Sequence, residues 1–547
     1  MKVSRVYAKI VMLFCLLFII DFIYSDWVSD LKKDIQKGEK VVKKTVGTAE
    51  KVVEKSAEDV KKTFANEIEQ VTKSVIKSYP HQHDEAKVRK SEDISGDEKS
   101  FVQKRISGSV VSGLKKFLND SAITESEAPI IAFCGGGGGV RALLFSLGAA
   151  KGAQDIGLMS CVTYAAGLSG STWFLAPWIS GGVSLSELLE KFKSSIANGL
   201  QPELFGKDAG KIIGNYAVKL NYGQPLSAID MWGALLANTF LTVFGQNSQA
   251  VRLSEQKIDS LIYPFPIFAT VRPIKGGSYE WWEVTPYEVG RKDAYVPTWA
   301  FGRKFENDKS QDYAAEQTLG MFIGIFESAF EGTIKDASPK FVNSLKTAPL
   351  IGFESVVAKS VLVPVFENVR MSPAVLPSFV TGKDNLTLNY NNVILVDAGI
   401  SFNLPTPPLL RKNRNVDIIF IIDGSATIMG TPELKKAEQY ARDFKLKFPE
   451  IDYKKAESDL ISVHVDKDSS VPVVVYYKRG QNPDYKIGNK SFDIEECVNK
   501  GACKTTNFKF SSSDVDDLVG LSEFTIKQYK NLIQQTIKDV VARKRKK

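Results

Sequence analysis

Gly167-Leu168-Ser169-Gly170-Ser171 places one serine on a glycine-flanked turn, about thirty residues after the run Gly135-Gly136-Gly137-Gly138-Gly139. The apolar run Pro129 to Phe133 ends at those glycines, and Arg141 to Ala150 has helical composition. Val162 to Ala166 is a second short strand that delivers Ser169 to the turn into the next helix. A sharp strand-to-helix turn exposes a hydroxyl, and glycines let the neighbouring backbone close in. This βα repeat, with the continuous β-branched runs Val393 to Val396 and Val416 to Ile422, predicts an α/β fold. Its central sheet is mainly parallel, with helices on both faces.

The serine needs a base, and histidine is scarce, with three in 547 residues. His81 and His83 fall in a polar stretch, too isolated for a metal site. His464, in the alternating run Leu460 to Val465, is expected on a surface strand rather than in catalysis. An acidic base is therefore favoured. Asp397, in Val396-Asp397-Ala398-Gly399, stands at the carboxyl end of an apolar strand, where open α/β sheets carry functional groups. Asp423, at the end of Val416 to Ile422, is the rival. The five glycines fit a dinucleotide fingerprint only loosely and lack its partner acid, so amides near Gly138 and Gly139 are expected to face an oxyanion. Arg141 could add positive charge for that oxygen or for a phosphate.

These segments resemble the cytosolic phospholipase A2 family, which includes fungal phospholipase B and is distantly related to patatin. The resemblance rests on Gly137-Gly138-Gly139-Val140-Arg141-Ala142, Gly167 to Trp173 and Asp397-Ala398-Gly399. Trp282 to Glu288, Phe402-Asn403-Leu404-Pro405 and the spacing from Asp397 to Arg414 extend it over about 130 to 425. It implies Ser169 as nucleophile, Asp397 as base, Gly138 and Gly139 as oxyanion donors, and Arg141 and Arg414 as substrate phosphate-binding residues. It further implies hydrolysis of fatty-acyl esters of glycerophospholipids and lysophospholipids through an acyl-serine, without metal or cofactor. A cap insertion, roughly 190–390, would cover the site. A general lipid esterase of patatin type and a catalytically silent lipid-binding protein are the alternatives.

The ends of the chain carry other expectations. Lys2, Arg5 and Lys9 precede eleven apolar residues, Ile10 to Ile20, in the layout of a signal peptide over 1–25. A helix of that length rises only about 16 Å, so secretion or a lumenal location is expected rather than a permanent membrane anchor. Cys497 and Cys503 bracket five residues and would close a disulfide in an oxidising compartment, and Asn119, Asn385 and Asn489 lie in glycosylation sequons. Over 26–79, Leu31, Val42, Val53, Phe64 and Val75 stand eleven apart, the period of a long, unsupercoiled amphipathic helix. Such a helix suits packing on its own domain, a coiled-coil partner, or a phospholipid membrane or micelle surface. Residues 80–100 are expected as a polar linker and 101–547 as the catalytic domain. The net charge of +8 is mild and spread along the chain, and argues poorly for nucleic acid. Oligomeric state is not legible.

Overall fold

The computed structural model describes residues 79–200, 209–224, 227–274, 277–328, 374–380 and 392–546, together with Lys73 and Lys77. The expected signal peptide, and the eleven-residue-repeat helix apart from Lys73, Lys77 and Tyr79, lie outside the described residues. So does Asn385.

One mixed sheet organises the molecule. Its parallel centre is β2 (Ile131–Gly135), β3 (Val162–Gly167), β4 (Phe265–Pro273), β10 (Ile418–Asp423) and β12 (Val473–Lys478), in the spatial order β4-β3-β2-β10-β12. Alternate residues of these strands feed two cores, as a two-residue period dictates. Phe133, Ala165, Phe420 and Val475 face one core, and Ala132, Cys134, Ala166 and Ile421 the other. Each face is covered by helices, so the apolar runs are buried throughout. On the first lies α2 (Gly139–Asp155), itself packed on α5 (Ser512–Gln528).

Antiparallel strands flank this centre. Beyond β4 come β5 (Tyr279–Val284), β6 (Glu288–Arg291), β7 (Ala294–Pro297) and the edge strand β1 (Arg89–Lys90). At the other end β11 (Ile461–His464) pairs antiparallel with β12. Three expectations change here. Residues 80–100 are not a free linker, because β1 joins the sheet, α1 (Gly96–Arg105) packs beneath it, and Ala86 and Ile94 are buried. The polarity of that stretch is spent on ion pairs such as Arg89 with Glu288, not on solvation alone. The cap is not one insertion over 190–390 either, since 265–297 returns to the main sheet between helical segments. Finally, His464 is buried, its Nε2 bonded to Ser462 Oγ at 2.9 Å, because its edge strand is covered.

The decisive piece of topology lies along one edge of β4. Strand β3 runs parallel to it through Gly167 opposite Phe268. Strand β9 (Asn392–Asp397) runs antiparallel to it, with Asp397 opposite Thr270. Two strands therefore approach head to head on the same edge, and their carboxyl ends meet. The run around Val393, expected in the parallel sheet, is thus antiparallel, with β8 (Ala374–Pro377) on its outer side.

Candidate active site

Ser169 follows β3 in the left-handed region, with φ of 50°. A non-glycine residue there costs of order 1 kcal/mol or more, and the surroundings must hold it. Ser171 does much of this. Its one hydroxyl proton is shared between the carbonyls of Gly135 (2.7 Å) and Leu168 (2.9 Å), and its Oγ accepts from the Leu168 amide. A side chain at Gly170 would collide with Gly139 O, so the serine turn rests directly on the glycine turn. Helix α3 (Thr172–Gly181) then leads away from the site.

The glycine turn is pinned from the other side. The Gly136 amide donates to Ile422 O and the Gly137 amide to Asn403 O. Gly138 and Gly139 follow with φ of 134° and 65°, and Gly139 opens α2. Their amides stand at the positive end of a seventeen-residue helix, a suitable place for a developing oxyanion.

Asp397 is 2% exposed and accepts from the Gly399 amide at 2.7 Å. Burial raises its carboxyl above the usual range, opposed by the bonds from Gly399 and from Ser169. Asp423, the rival base, is instead taken up by Tyr476 (2.8 Å) and the Ser425 amide, remote from the serine hydroxyl's bonds.

A third group enters that the sequence reading missed. Ser169 Oγ lies 2.5 Å from Glu327 Oε2, within a hydrogen bond. Glu327 is 2% exposed and ends α4 (Leu319–Phe326). Burial first, and then the neighbouring Asp397, raise its carboxyl strongly. The signal was present as one acid closing an otherwise uncharged, eight-residue apolar helix, but its partner lies 158 residues away.

The two arginines are placed differently from expectation. Arg141 is fully buried. Its Nε donates to Gly424 O (2.9 Å), one Nη to Cys503 O (2.7 Å) and the other to Thr505 Oγ1 (3.1 Å). Burial, with Arg479 nearby, lowers its pKa to about 10. Cys497 and Cys503 form a disulfide with Cα atoms 5.2 Å apart, and the loop that it closes supplies the Cys503 carbonyl. Arg414 is also fully buried, bonded to Glu98 (2.8 and 3.0 Å), Glu283 (2.6 and 3.0 Å) and Pro408 O. Its expected phosphate-binding role gives way to that of an internal clamp, because two carboxylates already saturate its fork. Among the described residues no cluster of three His, Cys, Asp or Glu side chains is arranged to hold a metal.

Residues 131–455 match the model of the lysophospholipase catalytic domain. Human cytosolic phospholipase A2 epsilon is 24% identical over 82% of this chain and 60% of its own length. Human cytosolic phospholipase A2 zeta is 27% identical over 66% of this chain and 49% of its own. The chain thus spans about half to three fifths of these relatives. Among solved structures, human GIVD cytosolic phospholipase A2 superposes with a TM-score of 0.68 at 20% identity, over 84% of this chain and 69% of that one. The secreted or lumenal location expected from the N-terminus is corrected by these findings, since the relatives are named as cytosolic enzymes. No helix among the described residues is long and apolar enough to cross a membrane. Asn119 and Asn489 are exposed, but with secretion withdrawn their sequons lose the argument from compartment. The match extends over more than half of the sequence, and the chain belongs to the lysophospholipase catalytic domain family.

Proposed function

We propose that the chain hydrolyses fatty-acyl esters of glycerophospholipids and lysophospholipids through an acyl-serine, with Ser169 as nucleophile and Asp397 as base. The observation that carries this reading is the meeting of β3 and β9, which brings a strained serine to a buried carboxylate beside a helix N-terminus. In the first half-reaction, Ser169 Oγ bonds to the ester carbonyl carbon while its proton passes to Asp397. The carbonyl electron pair moves to the oxygen, which the Gly138 and Gly139 amides would receive, each such donor being worth about 3 kcal/mol of barrier. Collapse breaks the bond to the glycerol oxygen, and Asp397 returns the proton to that oxygen. Water then repeats the sequence on the acyl-serine and releases the fatty acid.

Family membership supports a phospholipid substrate, and a lipid surface is the partner that this implies. Ser169→Ala should lower turnover by about 10⁴-fold or more, with Asp397→Asn similarly inactive while folded. Wild-type turnover in the serine variant would sink the assignment. Mass spectrometry of products from doubly labelled phosphatidylcholine would distinguish sn-1, sn-2 and lysophospholipase action.

A second reading, a general lipid esterase, is favoured by the engagement of Arg141 and Arg414 with protein acceptors. Equal kcat/KM on a phospholipid and an uncharged glyceride of the same chain length would support it over the phospholipase. A silent lipid-binding protein would instead fail to label at Ser169 with a fluorophosphonate.

A further inference from the structure

Two neighbouring residues at the end of α4 grip both halves of the proposed dyad. Glu327 bonds the hydroxyl of Ser169, and Ser328 Oγ accepts from the backbone amide of Asp397 at 2.9 Å. Ser328 is fixed in turn by donating to Ile325 O at 2.9 Å, within the last turn of the helix. The serine is therefore flanked by two buried carboxyl groups presented by two different elements, β9 and α4. Like charges this close in a dry site cannot both be carried, so such pairs retain a proton.

We propose that Glu327 is a second catalytic carboxyl, sharing one proton with Asp397 across Ser169, so that the serine works between one carboxylate and one carboxylic acid. The inference rests on the dyad reading above. The groups facing Glu327 fit it. Asp397 disfavours its charge from β9, Ser169 bonds it from the elbow, and the guanidinium of Arg141 favours its charge from α2. Arg141 is itself flanked by Arg479, Asp423 and Glu495. Burial outweighs the attraction, and the carboxyls of Glu327 and Asp397 are both raised. The Gly399 amide donates to Asp397 at 2.7 Å and favours the carboxylate there, which leaves the shared proton on Glu327.

In the acylation step, the Ser169 proton goes to the Asp397 carboxylate while Glu327 stays protonated. In deacylation, water bonds to the acyl carbon and gives its proton to Asp397, and the bond from Ser169 Oγ to that carbon breaks. Oγ then takes that proton from Asp397, with the Glu327 acid hydrogen-bonded to the departing oxygen. Loss of the shared proton at high pH would put a second negative charge beside the oxyanion and stop the reaction. Protonation of both carboxyls at low pH would remove the base.

The test is a series of kcat/KM measurements on a soluble nitrophenyl ester, from about pH 5 to about pH 10, with the full chain. The wild-type protein should give a bell. Glu327→Gln, which keeps the shape and a donor but cannot ionise, should keep the acid limb and lose the alkaline one, with about tenfold more relative activity at the alkaline end. Glu327→Asp should restore a bell. Thermal melting checks that each variant is folded. An unchanged bell in Glu327→Gln overturns the inference alone. A folded Glu327→Gln protein that no longer labels with fluorophosphonate overturns it differently, by making Glu327 the base. Failure of the wild-type protein to label at Ser169 sinks the dyad reading itself, and the inference with it.

Discussion

Arg141 and Arg414 are equally buried yet electrostatically opposite. Arg141 is held by two carbonyls and a hydroxyl, none of which cancels its charge. Arg414 lies between Glu98 and Glu283, with Arg411 adding a further bond to Glu283. Burial alone would depress Arg414 as it does Arg141, but the two carboxylates more than reverse it, and its pKa is raised. Burial alone does not assign a role to a cation; its acceptors do. The charge of Arg141 acts on Glu327 as well as on Asp423 and Glu495, none of which it bonds, whereas that of Arg414 is matched by the two carboxylates it bonds.

The clamp around Arg414 carries the largest expected effect. Arg414→Met leaves two buried carboxylates uncompensated and should cost about 3–5 kcal/mol in denaturant unfolding. A loss below about 1 kcal/mol would show that the clamp is not what holds α1 to the sheet. The triple variant Glu98→Gln, Glu283→Gln, Arg414→Met should recover part of that loss, since the charges vanish together.

Next in size is Arg141→Met. It orphans buried carbonyls at Gly424 and Cys503, about 1–3 kcal/mol of stability. Loss of the positive charge that acts on Glu327 should also lower kcat by about tenfold or more. Equal kcat in wild type and variant would erase the contrast between the two arginines.

Opening the Cys497–Cys503 bond by the double serine variant comes third. The short loop predicts about 2 kcal/mol from chain entropy. The sharper readout is whether the activity lost matches that of Arg141→Met, as the shared Cys503 carbonyl requires.

The smallest effect is a pH dependence. Burial pushes the Glu283 carboxyl up, but Arg414 and Arg411 outweigh it and leave it below the ordinary value. Its stabilisation is then present above the unfolded carboxylate range and is lost as pH falls through the lower folded value. Unfolding free energies measured from about pH 5 downward should decline more steeply in wild type than in Glu283→Gln.

What the sequence disclosed was local. Ser169, Ser171 and the glycine turn lie within one βα unit, and Asp397 ends a recognisable strand, so short-range patterns were enough. Glu327 was hidden because its only mark is an acid at a helix end, and its partner is distant in the chain. The same distance hid the clamp, whose members lie 316 and 131 residues apart. Polar composition also misled at 80–100, where charged side chains pair across a sheet edge as Arg89 does with Glu288. The direction of β9 could not be read at all, because an apolar run carries no sign of whether its neighbour is parallel.

The fastening of Arg141 has a consequence for the making of the molecule. Its acceptors lie 283, 362 and 364 residues downstream, on Gly424, Cys503 and Thr505. At about 5–20 residues per second of synthesis, the glycine turn leaves the ribosome roughly 20–70 s before the loop that closes over it. A nascent chain therefore carries its serine elbow long before the elbow has its final walls, and the surroundings of the proposed nucleophile are completed among the last events of synthesis.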